Sequence, residues 1–206
     1  MPHPSGKGNP GKKDLMVGVL SLQGDFERHI ALLRDLGAAT REVRTLEELT
    51  DLSGLVIPGG ESTTLLKFFE SEPWIESLQS FGFRAPIFGT CAGAILLGTR
   101  VEHPAQVSLG LIPMTVQRNA YGRQIDSFIT DLEDHSLEGD PLPAVFIRAP
   151  RIVEVGTEVV ILARYQGEAV LVQYGHFLAA TFHPELTGDH RVHQLFLDRV
   201  QNGVKS

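Results

Sequence analysis

The sequence predicts an α/β protein of three layers, a mostly parallel central sheet with helices on both faces, to which antiparallel strands are added in the second half of the chain. Three observations carry this expectation. Short aliphatic runs alternate with segments of helical periodicity through residue 99, the pattern of parallel strands joined by helical crossovers. Two of those runs end in glycine-marked turns, at 59–60 and 89–93, and parallel sheets bind ligands at the carboxyl ends of their strands. After about residue 108 the segments become shorter and more alternating, as antiparallel strands with one wetted face do.

In chain order, "LMVGVLSL" (15–22) reads as a buried strand, being continuous, aliphatic and rich in β-branched residues. "GDFERHIALLRDLGA" follows as a helix, with Phe26, Ile30, Leu33 and Leu36 at helical spacing, Asp25 as N-cap and Gly37 as the residue past its end. "ATREVRT" (39–45) is a second strand, "LEELTDL" a short acidic helix, and "GLVIPGG" (54–60) a third strand running into glycines. "STTLLKFFESEPWIESLQSF" is helical with a restart at Pro73, since proline suits a first helical turn. "APIFGT" (85–90) is a fourth strand, and "CAGAILLGT" opens a helix directly after it. "MTVQRN", "AVFIRAP", "EVVILARY", "EAVLVQYG" and "HFLAATFHPE" read as further strands, with hairpin turns near Gly167 and Gly175. Between them "SFITDLEDHSLEGDPLP" reads as a solvated acidic excursion. "DHRVHQLFLDRVQNG" closes the chain as an amphipathic helix carrying Val192, Leu195, Phe196 and Val200. Residues 1–14, rich in Gly, Pro and Lys, read as a flexible tail, and 15–206 as a single domain.

Composition excludes several classes. With 42% apolar and 21% charged residues in 206, the chain resembles an ordinary globular protein rather than a disordered one. A formal net charge of −7 argues against nucleic acid or an anionic membrane as partner. One cysteine cannot form an internal disulfide, and no apolar run approaches the roughly 20 residues of a membrane span. The expected setting is cytoplasmic.

That lone cysteine, Cys91, stands in "FGTCAG", flanked at two-residue distance by Gly89 and Gly93. A Gly-x-Cys-x-Gly turn between strand and helix has the mechanics of a nucleophile elbow, with the side chain lifted to the helix N-terminus. The helix dipole there favours a thiolate, and the N–H of Ala92 is placed to donate to an oxyanion. A cysteine nucleophile needs a base, and "FHPEL" supplies His183 with Glu185 two residues on, on the same side of an extended chain. "IPGGESTT" supplies a further backbone donor from Gly59 or Gly60. The loop lacks the Gly-Lys-Ser/Thr ending of a phosphate-binding loop, so nucleotide binding is a weak alternative. His183, Glu185, His190 and His193 also gather the residue types of a zinc site, but without HExxH spacing, so neither a metal nor an organic cofactor is expected.

"PGGEST", "FGTCAG" and "FHPEL" together resemble the class I, triad-type glutamine amidotransferases, whose fold is flavodoxin-like. "VLSLQGDFERH", "QRNAYGRQIDSF", "VFIRAP" and "FHPELTGDHRVHQLF" narrow the likeness to the glutaminase subunits of pyridoxal phosphate synthase, over residues 16 to 200. The resemblance implies hydrolysis of L-glutamine to glutamate and ammonia, with the ammonia passed through a tunnel to a barrel-shaped synthase subunit in a hetero-oligomer. It implies Cys91 as nucleophile, His183 and Glu185 as the rest of the triad, and Gly60 with Ala92 as the oxyanion hole. It implies a glutamine site at Gly60, Glu61, Ser62, Arg118, Ile147 and Arg148, and a partner contact at Gln23 and Gly24. Two positions depart from the pattern. Asp25-Phe26 stands where relatives carry small or aliphatic residues, and His176 where they often carry glutamine.

Overall fold

The structure, a computed structural model, describes residues 15–60, 62–69, 73–118 and 127–204. The chain opens with β1 (Met16–Leu20), crosses through α1 (Phe26–Asp35) to β2 (Ala39–Val43), and passes a 3-10 turn at Glu47–Leu49 into β3 (Gly54–Ile57). α2 (Ser62–Phe69) and α3 (Trp74–Gly82) lead to β4 (Ile87–Thr90), and α4 (Ala92–Leu97) starts at once from its end. Then come β5 (Gly98–Glu102), β6 (Ile112–Gln117), β7 (Ser127–Leu132), β8 (Asp134–His135) and β9 (Leu142–Ile147). β10 (Arg151–Val155), β11 (Val160–Tyr165), β12 (Glu168–Tyr174) and β13 (Phe177–Ala180) follow, and a 3-10 turn at Pro184–Leu186 precedes α5 (Arg191–Asn202).

The main sheet runs β2-β1-β3-β4-β13-β12-β10-β6-β5, with β11 attached to β12. Its first five strands are parallel, and the antiparallel extension begins at the β13–β12 pair. β3, β4 and β13 are buried along their whole length, which explains their apolar sequence, broken only by Thr90 at the end of β4. Side chains alternate between two cores, one on each face of the sheet. Leu55 and Ile57 join Leu65, Trp74 and Phe81 on the α2–α4 side. Val56 and Phe88 join Ile30, Leu33, Phe196 and Val200 on the α1 and α5 side.

Element ends follow the local chemistry. Gly37, at φ +82°, closes α1 by donating its N–H to Arg34, while Ala38 donates to Leu33, a Schellman ending. Pro73 is the N-cap of α3, and Phe69 stacks on Trp74 across the break that it makes.

The acidic stretch 127–143 differs from expectation. It holds β7 and β8 and the start of β9, and β7 with β9 forms a separate antiparallel ribbon. Phe128 and Leu132 alternate with the exposed Ser127, Ile129 and Asp131, and Phe128 stacks on Phe146 at 4.7 Å. The acidic residues hide a strand whose inward face is apolar. Among the described residues no helix is long and apolar enough to cross a membrane.

Candidate active site

Cys91 sits between the end of β4 and the first residue of α4, and its backbone takes φ 47° and ψ −101°, a region that side-chain-bearing residues avoid. The strained residue is thus the cysteine, and the flanking glycines have another role, since neither carries a positive φ. A Cβ on Gly89 would lie 2.5 Å from the Gly93 backbone, and one on Gly93 would fall on the carbonyl oxygen of Ile57. They let helix and strand approach closely enough to hold the turn. The Cys91 N–H donates to Ala180 at 2.8 Å, so β13 holds the elbow from the other side. Cys91 is 7% exposed, and its sulfur lies 3.9 Å from the carbonyl oxygen of Ile147.

His183 follows β13 on a loop whose N–H is bound by the carbonyl of Val145 in β9. Its Nδ1 is 2.7 Å from Glu185 Oε1, so Nε2 is the nitrogen left to face the cysteine. Both side chains are buried, at 6% and 4% exposure. Burial alone would lower the pKa of His183. Hydrogen bonds to Cys91 and Glu185, with the negative charge of each, instead push it up to about 10. Burial would likewise raise the pKa of Glu185, but the charge of His29, the hydrogen bond to His183 and the contact with His29 hold it far below the ordinary carboxylate range. An ionised carboxylate therefore stands behind an imidazole that favours its charged form.

Cys91 and His183 line a cleft of about 440 Å³, shared with Gly59, Gly60, Arg118, Ile147 and Arg148. The structure thus brings these sequence-predicted residues together from five separate segments. Arg118 reaches the cleft with its Nη2 donating to Thr63 Oγ1 at 3.1 Å, and the exposed Arg148 takes φ 42° at the end of β9. Glu61 and the side chain of Ser62 lie outside the described residues. The Gly59 N–H is bound to Thr90 Oγ1 at 3.0 Å, which takes it away from a ligand. A Cβ on Gly59 would fall on the His183 ring, and one on Gly24 would fall on the Gly59 carbonyl oxygen. The Gln23-Gly24 turn is thereby packed directly on the glycine loop, with the Gln23 side chain against Gly60.

Several site residues were not legible beforehand. Asp25 is the N-cap of α1 by position, but its side chain makes no capping hydrogen bond and lines the cleft instead. His29 and Thr90 are fully buried, with His29 against Glu185 and Thr90 against His29. The signal for His29 was a polar residue three after Phe26 and four before Leu33, inside the apolar stripe of α1. Of the four residues weighed as a zinc grouping, His190 is exposed at the start of α5 while His183, Glu185 and His193 are buried. Asp25, His183 and Glu185 do place ligand atoms within 4.8 Å of one another. Nδ1 of His183 and Oε1 of Glu185 are, however, already bound to each other.

Comparison with known proteins identifies the family. The profile of the SNO glutamine amidotransferase family matches residues 19–202. The pyridoxal 5'-phosphate synthase subunit PdxT of Koribacter versatilis is 54% identical over 189 residues, covering 92% of this chain and 97% of that protein. That of Thermotoga maritima is 47% identical over 188 residues, covering 91% and 100%. A crystal structure of a glutamine amidotransferase superposes with a TM-score of 0.83 at 44% identity, covering 89% of this chain and 98% of that one. Another glutamine amidotransferase, from Thermotoga maritima, is 16% identical with a TM-score of 0.57, covers 93% and 86%, and shares the fold. With a family profile along nearly all of its described length and relatives about half identical over nearly their whole chains, the chain belongs to the SNO glutamine amidotransferase family.

Proposed function

We propose that the chain is the glutaminase subunit of a pyridoxal phosphate synthase, hydrolysing L-glutamine to glutamate and ammonia and supplying the ammonia to a synthase subunit for vitamin B6 synthesis. The observation that carries this reading is the buried line Cys91–His183–Glu185 on the floor of a cleft rimmed by two arginines, in a chain about half identical to proteins named as that subunit.

The Cys91 thiolate attacks the side-chain carboxamide carbon of glutamine, and the carbonyl oxygen becomes an oxyanion. The N–H of Ala92, in the first turn of α4, and that of Gly60 receive it, since Gly59 is bound to Thr90. One such donor lowers the barrier by roughly 3–4 kcal/mol. Imidazolium His183 gives its proton to the departing nitrogen, ammonia leaves, and a glutamyl thioester remains. Neutral His183 then takes a proton from water, whose oxygen attacks the thioester and releases glutamate with the thiolate restored. Glu185 holds the ring orientation throughout. Arg118 and Arg148 are the cations that can take the α-carboxylate of the substrate. The Gln23-Gly24 turn serves as the contact with the synthase subunit, and the setting we assign is cytoplasmic.

Ammonia release from L-glutamine, by the chain alone and mixed with the synthase subunit of the same organism, tests the reading. Release that rises on mixing, and that Cys91→Ala reduces at least about a thousandfold while glutamine still binds, is the expected result. Release by a clean Cys91→Ala preparation at wild-type rate would refute the nucleophile assignment.

A further inference from the structure

Behind the triad lies a second line of buried polar side chains that the proposed mechanism does not use. His29, in the first half of α1, is fully buried, with Nε2 at an ion-pair distance of 3.3 Å from Glu185 Oε2, the buried oxygen that His183 leaves without a hydrogen bond. The same Nε2 is 3.3 Å from Thr90 Oγ1, which receives the Gly59 N–H. On its other side Nδ1 is 2.9 Å from Nε2 of His193, equally buried in α5. Phe88 stands edge-on to both rings, at 6.3 Å from His29 and 5.8 Å from His193, and closes the group off from water.

We propose that His29 is a positioning residue of the glutaminase reaction, gripping the second oxygen of Glu185 so that the first stays in line with His183. This rests on the glutaminase reading above. An ionised carboxylate accepts and never donates, so the Nε2 that faces it presents an N–H. His193 then completes the line at Nδ1. A carboxylate held through one oxygen turns freely about its last bond, whereas one held through both is fixed in plane and angle. The grip matters most when His183 cycles between charged and neutral forms, because Glu185 must not follow the proton. A merely space-filling residue on the apolar stripe of α1 would be aliphatic, like its neighbours Ile30 and Leu33.

The charged and titratable groups around this line are Glu185, His183 and Asp25 on the cleft side and His193 on the α5 side, with Asp189 and His190 acting on His193 from the start of that helix. Removing His29 takes away a group that keeps Glu185 ionised. The acid limb of kcat/KM therefore moves to higher pH.

Two substitutions of equal polarity separate positioning from packing. His29→Gln can reach Glu185 with its terminal amide, whereas His29→Asn is one methylene too short. Ammonia release by each variant in complex with the synthase subunit is measured across pH, with the folded fraction checked by near-ultraviolet circular dichroism. The expected result is a kcat for His29→Asn about 10- to 100-fold below wild type, with KM little changed and the acid limb raised. His29→Gln recovers most of the rate. An equal loss in both variants, in kcat or in folded protein, overturns the proposal, and so does no loss in either. If the wild type itself releases no ammonia, the glutaminase reading is what has failed. The alkylation rate of Cys91, the single cysteine, by iodoacetamide at neutral pH then decides on His29: Asn slower than Gln supports it, and equal rates overturn it.

Discussion

At the scale of single residues, the most informative angle is φ 47° at Cys91. A non-glycine residue held there costs of order 1–3 kcal/mol, and the surrounding turn maintains it because β13, α4 and the close-packed glycines leave no alternative path. Removing the sulfur without removing Cβ should leave the strain in place. Cys91→Gly is therefore expected to be more stable than Cys91→Ala by about 1 kcal/mol, after glycine's own entropic cost, although both are inactive. Urea unfolding of the two variants measures the difference, and equal midpoints would mean that the turn is relaxed. At this scale the sequence exposed what spacing and residue type reveal: a cysteine between glycines, and a histidine with a carboxylate two positions on. It concealed His29, because a histidine in an apolar stripe shows its purpose only once α5 has brought His193 against one side of it and the 183–185 loop has brought Glu185 against the other.

At the scale of elements, the ribbon of β7 and β9 does more than cover the sheet. β9 binds the His183 N–H through Val145, sets the Ile147 carbonyl near the sulfur, and ends at Arg148. The ribbon is seated by Phe128, half-buried and packed on Phe146 and on Tyr165 at 5.2 Å. Phe128→Ala should cost about 1–3 kcal/mol, less than a fully buried phenylalanine, and raise the KM for glutamine more than it lowers kcat. Thermal unfolding and steady-state kinetics on one preparation check both halves of that statement. The parallel strands were legible because strands buried on both faces are close to continuously apolar, as β3 is. The ribbon was not, because only every second position of β7 faces inward and acidic residues crowd the loop that follows it.

For the molecule as a whole, the order of the sheet decides where the chemistry collects. Loops leaving the ends of β1, β3, β4 and β13 meet at one edge, which is why residues from 24 to 183 share one cleft. The same convergence places the proposed docking turn on the glycine loop, with Gly24 (φ +77°) against the Gly59 carbonyl. A methyl group at position 24 must push that loop. Gly24→Ala is expected to reduce partner-stimulated ammonia release about 10- to 100-fold, with the fold retained, as displacing a reacting group by about an ångström does. Undiminished stimulation would show that the turn and the loop move independently.

The glycines that meet here have a consequence for how the protein tolerates change. Positions 24, 59, 89 and 93 have no room for a Cβ, in three cases because backbone lies in the way and at 59 because of the His183 ring. A library of all single substitutions, sorted only for soluble expression and never exposed to glutamine, should lose variants at 59, 89 and 93 and all but the smallest at 24. The map of that intolerance would outline the cleft from the docking turn to the elbow, so ancestry could preserve the outline of this catalytic pocket by selection on folding alone.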